Sequence, residues 1–308
     1  MNSPRLLVSV PGTTLHEALG GAPDGVEIIE WDMSGPAPVD SIDIVVPPYM
    51  DMTSKLAQLE NAKTRLVQSQ MIGYDGVEKA LPIGHVFANA VTVHETSTAE
   101  LALALILASQ RGIPGFVRAA NEGRWTPQTC ESLADRTVLL VGYGGVNKAI
   151  EARLVPFETT VMRIARTARA DEHGSIYGLD SLPELLPEAD IVVIGVPLNE
   201  STNHLVDDSF LSLMRDGSLL VNIARGPVAD TDALLAHAAS GRIRLALDVT
   251  DPEPLPPGHR LFALPNVLIS PHVGGASTAM MPRMARLVNE QIARMLRGDE
   301  PVNVVLRS

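Results

Sequence analysis

Two kinds of stretch alternate along the chain. Short apolar runs rich in Val, Ile and Leu are too brief for helices and read as buried parallel strands. Between them lie segments with apolar residues at helical spacing. In the first third, strands are predicted over 6–10, 26–31, 42–46, 65–68 and 86–89. Helices are predicted there over 14–19 and 53–61, the second preceded by the turn-forming Pro47-Pro48. From 137 onward, strands are predicted over 138–141, 160–164, 191–196, 218–223, 245–249 and 267–270. Helices fill the gaps, including 208–214 and 230–239, the latter closed by Gly241. Strands that alternate with helical crossovers predict parallel sheets with helices on their faces.

Three segments stand outside this alternation. HETSTAELALALILASQRG (94–112) is apolar on nearly every side, which predicts a helix buried all round, as at a junction between domains. Thr96 or Ser97 can cap it, with Glu100 in its first turn. Residues 113–136 are polar, carry Gly115, Gly123, Trp125 and Pro127, and read as a connection across the surface. Residues 276–297 predict an amphipathic helix bearing Leu287, Ile292, Met295 and Leu296; the tail after Gly298 is expected to pack back on the first domain.

Composition narrows the function classes. The 308 residues suffice for two cores. A net charge of −12 argues against nucleic acid and against an anionic membrane surface. The single cysteine, Cys130, excludes an internal disulfide framework and fits a reducing compartment. The start, MNSPRLLVSV, has one Arg and a short apolar run and reads as a first strand rather than a signal peptide. No apolar stretch reaches spanning length free of charges and breakers. A cytoplasmic protein is expected.

The strand at 138–141 runs into Gly142-Tyr143-Gly144-Gly145 and then a helix pattern with Ala149, Ile150 and Leu154 on one face. Strand, glycine turn and helix make an anion cradle, because backbone N–H groups and the positive end of the helix dipole point at a phosphate. Gly142 permits the tight turn and Gly144 a close approach of a pyrophosphate. Asn147 stands where the third glycine of the dinucleotide fingerprint falls, a position that serves helix–strand packing. Six strands with crossovers around this turn predict a doubly wound sheet with the dinucleotide across its switch point.

Three further stretches fall at carboxyl ends of strands, where an open parallel sheet places its ligands. They are Asn222-Ile-Ala-Arg225-Gly226, Asp248-Val-Thr-Asp-Pro-Glu253-Pro254 and Ser270-Pro271-His272-Val-Gly274-Gly275. Arg225 offers a planar fork for a carboxylate, His272 a proton carrier near neutral pH, and Glu253 a partner for the second ring nitrogen. Gly73 follows the fourth strand directly, where a ligand can meet bare backbone N–H groups. In NAD-selective sheets an acid at the end of the second strand, about twenty residues past the turn, accepts the ribose hydroxyls. Here the chain reads Ala165-Arg166-Thr167-Ala168-Arg169 instead. Two cations and a hydroxyl suit the 2′-phosphate of NADP, so NADP(H) is expected as the preferred cofactor, with NAD(H) possible.

Taken together, GYDGV with TAELALALIL, the glycine turn, VPLNEST, NIARG, DVTDPEP and SPHVGG stand in the order of one family over nearly the whole chain. The chain resembles the D-isomer-specific 2-hydroxyacid dehydrogenases, which include glyoxylate/hydroxypyruvate reductases. The resemblance implies a doubly wound parallel Rossmann sheet (98–278) plus a smaller flavodoxin-like α/β substrate domain (1–97, completed by 279–308). It implies Arg225 as the substrate-binding arginine, His272 as acid/base and Glu253 as its partner, with Tyr49, Ile72 and Gly73 toward the substrate. Along the cofactor, the residues and the resemblance together imply Thr98, Tyr143, Gly144, Gly145, Val146, Asn147, Arg166, Thr167, Arg169, Val196, Pro197, Thr202, Ile223, Ala224, Asp248 and Gly274. No metal is implied. A small 2-oxo or 2-hydroxy acid is the expected partner, and a homodimer through the cofactor domain the expected assembly.

This chain departs from the family at Asn147 and at Asn199, which stands where Thr is usual in the Pro-Leu-Thr motif. The loop VVPPYM has no arginine near Tyr49, which disfavours a phosphorylated substrate. Formate-type relatives carry Gln in place of Glu253. A nucleotide-sensing co-regulator on the same fold, with little turnover, is the alternative.

Overall fold

A computed structural model describes residues 6–308 of the chain. Arg5, the cation of the chain's start, lies outside the described residues. The chain divides into two units, one running up to His94 and resuming at Ala276–Ser308, the other Glu95–Gly275. The divisions fall at 94/95 and 275/276, against the expected 97/98 and 278/279.

The first unit holds β1 (Leu6–Val10), β2 (Val26–Glu30), β3 (Ser41–Val45), β4 (Lys63–Gln68) and β5 (Val86–Ala88). All pair in parallel, in the order β5-β4-β3-β1-β2. The chain steps from β1 outward to β2 and then returns to β3 on the other side of β1. That reversal makes a switch point at the carboxyl ends of β1 and β3. Ile42, Ile44, Leu66 and Phe87 are fully buried on this sheet.

The long helix Met280–Arg297 buries Met284, Leu287, Val288 and Ile292 against Val8 and Leu15 of the same unit. Its Gln291 is buried, donates to Gln68 Oε1 at 2.8 Å and accepts from Val302 N at 3.1 Å. The tail then adds the antiparallel strand Val304–Arg307 beside β5. A tail tied in this way completes the sheet rather than merely lying on it.

The second unit holds β6 (Thr137–Val141), β7 (Thr160–Ile164), β8 (Arg169–Asp171), β9 (Gly174–Ile176), β10 (Ile191–Ile194), β11 (Leu219–Asn222), β12 (Arg244–Leu247) and β13 (Val267–Ile269). Six of these form one parallel sheet in the order β13-β12-β11-β10-β6-β7. Its switch point lies between β6 and β10, with the glycine turn directly after β6. Val138–Val141, Ile191–Ile194 and Leu219–Val221 are wholly buried. That explains why these strands read as unbroken apolar runs, since helices cover both faces.

The structure corrects the sequence reading in three places. A helix, Ile113–Asn121, occupies the start of what reads as a surface connection. Its glycines and proline look like breakers. Gly112, however, takes φ 64 at the N-cap, and Pro114 sits in the first turn, where its missing N–H costs nothing. The preceding helix begins at Glu95, so Thr96 and Ser97 lie inside its first turn rather than capping it. Finally, β8 and β9 form a small antiparallel hairpin beyond β7 that carries no apolar signal. Among the described residues no single helix is long and apolar enough to cross a membrane.

Candidate active site

At the second unit's switch point the backbone is pinched. A Cβ on Gly142 would lie 2.7 Å from the Gly195 carbonyl oxygen, and Gly142 itself has φ 89. Only glycine fits both demands. Gly144 N-caps the helix Gly145–Leu154, which no side chain caps, and a Cβ on Gly144 would meet nothing within 4 Å. Open space over uncapped N–H groups fits the pyrophosphate of a dinucleotide.

Asn147 takes the third-glycine position without opening the turn. It is 1% exposed, and its Nδ2 donates to Gly142 O at 2.5 Å and Val141 O at 3.3 Å. A Cβ on Gly195 would come within 2.6 Å of the Asn147 amide, so a glycine opposite makes room for the larger side chain. The amide thus ties the turn from within.

Beyond β7 a charged cluster holds the hairpin. Arg163 is buried, pairs with Asp171 at 3.0 Å and Glu151 at 3.5 Å, and donates to His173 O at 2.6 Å. Its guanidinium lies 5.5 Å from the centre of the Tyr143 ring, and the Tyr143 hydroxyl donates to Glu151. Burial, and then the Glu151 carboxylate, push the Tyr143 phenol above its ordinary pKa. Burial works against the Arg163 charge, but Tyr143, Glu151 and Asp171 outweigh it and raise its pKa. Burial likewise raises the Asp171 carboxyl, yet the His173 N–H and Arg163 bring it below the usual range. On this anchored hairpin Arg169 donates to Tyr143 O at 3.4 Å and Thr167 O at 3.3 Å. Arg166 and Thr167 are exposed beside it.

The loops after β11, β12 and β13 are bound to one another. A Cβ on Gly226 would sit 1.8 Å from Thr250 O, so the backbone carrying Arg225 runs directly against the segment leading to Glu253. Asn222 Oδ1 accepts from Ala224 N at 3.0 Å, and Asn222 Nδ2 donates to Arg225 O at 3.1 Å. Arg225 Nη1 donates to Ala224 O at 2.7 Å. Asp248 is buried at 3% exposure. Its Oδ1 accepts from Ser270 Oγ at 2.6 Å and Val273 N at 2.9 Å, and its Oδ2 from Gly274 N at 2.9 Å.

His272, at φ 52, donates its N–H to Asp248 O at 2.7 Å. Its Nδ1 lies 2.6 Å from Glu253 Oε1, both side chains being partly exposed. An ionised carboxylate only accepts, so Nδ1 carries the hydrogen of this bond and Nε2 is left for a ligand. The arrangement can hold an imidazole in one orientation and pass a proton at Nε2.

The remaining expected residues of this unit fall into three groups. Thr98 lies near Asp248 at Gly274, where a Cβ would meet both within 3.3 Å. Thr202 Oγ1 donates to Pro197 O at 2.6 Å and accepts from Asn199 N at 2.9 Å, so its hydroxyl holds the turn after β10. Asn199 Oδ1 accepts from Ser201 N and Oγ in the same turn. Val196, Ile223 and Ala224 are buried at these strand ends, and Val146 and Pro197 flank them. In the first unit Ile72 and Gly73 follow the end of β4, and Tyr49 stacks on His94 with ring centres 5.7 Å apart. Sequence reading missed Arg163 and Ser270 as supporting groups; a lone arginine inside an apolar strand was the signal for the first.

A sequence model of the D-isomer specific 2-hydroxyacid dehydrogenase, NAD binding domain, matches residues 103–274. The glyoxylate reductase of Pyrococcus horikoshii is 33% identical over 283 residues, covering 87% of this chain and 84% of that protein. The glyoxylate reductase/hydroxypyruvate reductase of Homo sapiens is 29% identical over 306 residues, covering 92% and 91%. Among solved structures, a D-isomer specific 2-hydroxyacid dehydrogenase from Xanthobacter autotrophicus Py2, in complex with NADPH and MES, matches with a TM-score of 0.80. It is 29% identical and covers 99% of both chains.

The Gly226 contact yields a first test. Gly226→Ala forces backbone apart from backbone, where no rotamer change relieves the clash. The variant is expected to lose about 2 kcal/mol or more of stability in urea unfolding and most of its turnover. Stability and turnover equal to wild type would contradict the contact.

Proposed function

As this chain belongs to the D-isomer specific 2-hydroxyacid dehydrogenases, we propose that it reduces a small, unphosphorylated 2-oxo acid such as glyoxylate or hydroxypyruvate, with NADPH preferred. It is an NAD(P)-dependent oxidoreductase that transfers a hydride between a nicotinamide cofactor and a 2-oxo acid or D-2-hydroxy acid. The relatives described above are named as reductases of such acids, which favours turnover over the sensing role of a co-regulator. The observation that carries the reading is the His272–Glu253 pair at 2.6 Å, on loops locked to the sheet by Asp248.

A nicotinamide cofactor, when bound, would supply the hydride for the carbonyl carbon. The glycine turn, with Tyr143, Gly144, Gly145, Val146 and Asn147, would receive its pyrophosphate. Thr98, Asp248 and Gly274 would hold the nicotinamide end, and Val196, Pro197, Thr202, Ile223 and Ala224 would line the path between. In the second unit Arg225 offers the substrate carboxylate a bidentate fork; in the first, the backbone N–H groups of Ile72 and Gly73 are proposed to receive a carboxylate. Protonated His272 donates from Nε2 to the carbonyl oxygen, while Glu253 keeps the ring in register. In the reverse direction neutral His272 takes the hydroxyl proton. Tyr49 bounds the substrate, and the absence of an arginine beside it supports an uncharged side chain on the acid.

A homodimer through the cofactor unit completes the proposal. Ile113 and Val117 are exposed on the helix Ile113–Asn121, and Trp125 just beyond it is 93% exposed. Apolar side chains grouped in this way suit a second copy of the chain. Sedimentation at twice the chain mass is expected; a monomer at micromolar concentration would contradict it.

Replacing His272 by Ala should lower turnover by about two to four orders of magnitude while leaving dinucleotide affinity nearly intact. Near-normal turnover would end the assignment. For the cofactor, Arg166, Thr167 and Arg169 are proposed to bind the 2′-phosphate, because no carboxylate stands at the tip of β7 and Arg166 is exposed there. Catalytic efficiency with NADPH should exceed that with NADH. Arg166→Ala should narrow the gap by weakening only the phosphorylated cofactor, by about 1.5–3 kcal/mol. A wild-type preference for NADH at matched concentrations would overturn this.

A further inference from the structure

We propose that Asn89 is a positioning residue that turns the backbone N–H of Gly73, beside that of Ile72, toward the substrate carboxylate. The inference rests on the reading above, in which those two groups receive the carboxylate. It goes further by assigning what orients them.

Past the end of β4 the chain runs Ser69-Gln70-Met71-Ile72-Gly73. The Met71 carbonyl accepts from Ala90 N at 2.8 Å, and the Ile72 carbonyl accepts from Asn89 Nδ2 at 2.9 Å. Asn89 and Ala90 are neighbours, so both carbonyls face one short segment. In a trans peptide the following N–H points opposite to the carbonyl. The N–H groups of Ile72 and Gly73 therefore face together away from 89–90. Neither donates to any acceptor among the described residues. Two successive N–H groups aimed to one side and left unbonded form an anion-binding concavity.

The rest of the loop is clamped at the rear. Gln70 O lies 2.6 Å from His94 Nε2, Met71 N donates to Ser69 Oγ at 2.9 Å, and Gln70 Nε2 donates to Pro47 O at 2.9 Å. The Ile72–Gly73 peptide differs from these, because it is held by one side chain and flanked by a glycine free to rotate. Asn89 itself is firmly seated. It is 5% exposed, its N–H donates to Asn303 O at 3.0 Å, and its carbonyl accepts from Gln68 Nε2 at 3.0 Å. Its backbone is thus held at both ends, and its amide nitrogen is the one side-chain donor to the Ile72 carbonyl among the described residues.

The test is steady-state kinetics on Asn89→Leu, which keeps the size and removes the donor, with Arg225→Lys beside it. The KM for glyoxylate or hydroxypyruvate should rise about ten- to a hundredfold in Asn89→Leu, with kcat changed far less and NADPH affinity in direct titration unchanged. The preference for pyruvate over its neutral carboxamide should shrink in the same variant, a readout that general loosening would not produce. A second variant, Asn89→Asp, sets a carboxylate against the Ile72 carbonyl. Its excess KM over wild type should diminish as pH falls and the acid regains a hydrogen to donate. If Arg225→Lys raises KM and both Asn89 variants leave it unchanged, the assignment of Asn89 falls while the carboxylate reading stands. If none of the three changes KM while NADPH is still consumed, the carboxylate reading fails and takes this inference with it.

Discussion

The Asp248 carboxylate is buried with no cation paired to it among the described residues, and the candidate site depends on how its oxygens are satisfied. Three donors, Ser270 Oγ, Val273 N and Gly274 N, supply the compensation, and all three lie on the loop after the last strand. Leaving a buried charged acceptor short of donors costs about 1–3 kcal/mol or more per group, so the loop has one low-energy course. That course fixes His272 at a positive φ, with its N–H on Asp248 O and its ring against Glu253. An interaction that is purely structural in kind therefore decides where the proton carrier points.

The same logic, backbone groups pinned so that other groups are left facing outward, recurs in both units. In the second unit Gly142 and Gly195 let β6 and β10 close together, and the Asn147 amide fastens the turn behind the open space over Gly144. In the first unit Asn89 and Ala90 hold two successive carbonyls and leave two N–H groups with no acceptor among the described residues. A parallel sheet places such loops at one edge because every strand ends there. The chemistry of each unit is thus a consequence of which peptide groups the sheet leaves over.

The sheets were legible in the sequence because buried parallel strands must be apolar on both faces, as Val138–Val141 and Ile191–Ile194 are. Arg225, Glu253 and His272 were legible because polar residues at strand ends have few structural reasons to be there. The hairpin of β8 and β9 was not, since two three-residue strands held by a buried arginine leave no periodic pattern. The helix Ile113–Asn121 was hidden by a glycine and a proline whose terminal positions make them compatible with it. The role of Asn147 was half legible: a missing glycine could be seen, but not the matching Gly195 that accommodates the amide. Supporting side chains such as Asn89 act on peptide groups far away in sequence, and no local pattern announces them.

The central claim is that His272 and Arg225 serve the reduction of a 2-oxo acid to one hand of the product. The most direct measurement is chiral analysis of the product formed when the purified protein consumes NADPH in the presence of hydroxypyruvate. The account predicts stoichiometric cofactor oxidation and D-glycerate as the product. Formation of L-glycerate, or no cofactor oxidation with hydroxypyruvate, glyoxylate or pyruvate, would contradict it.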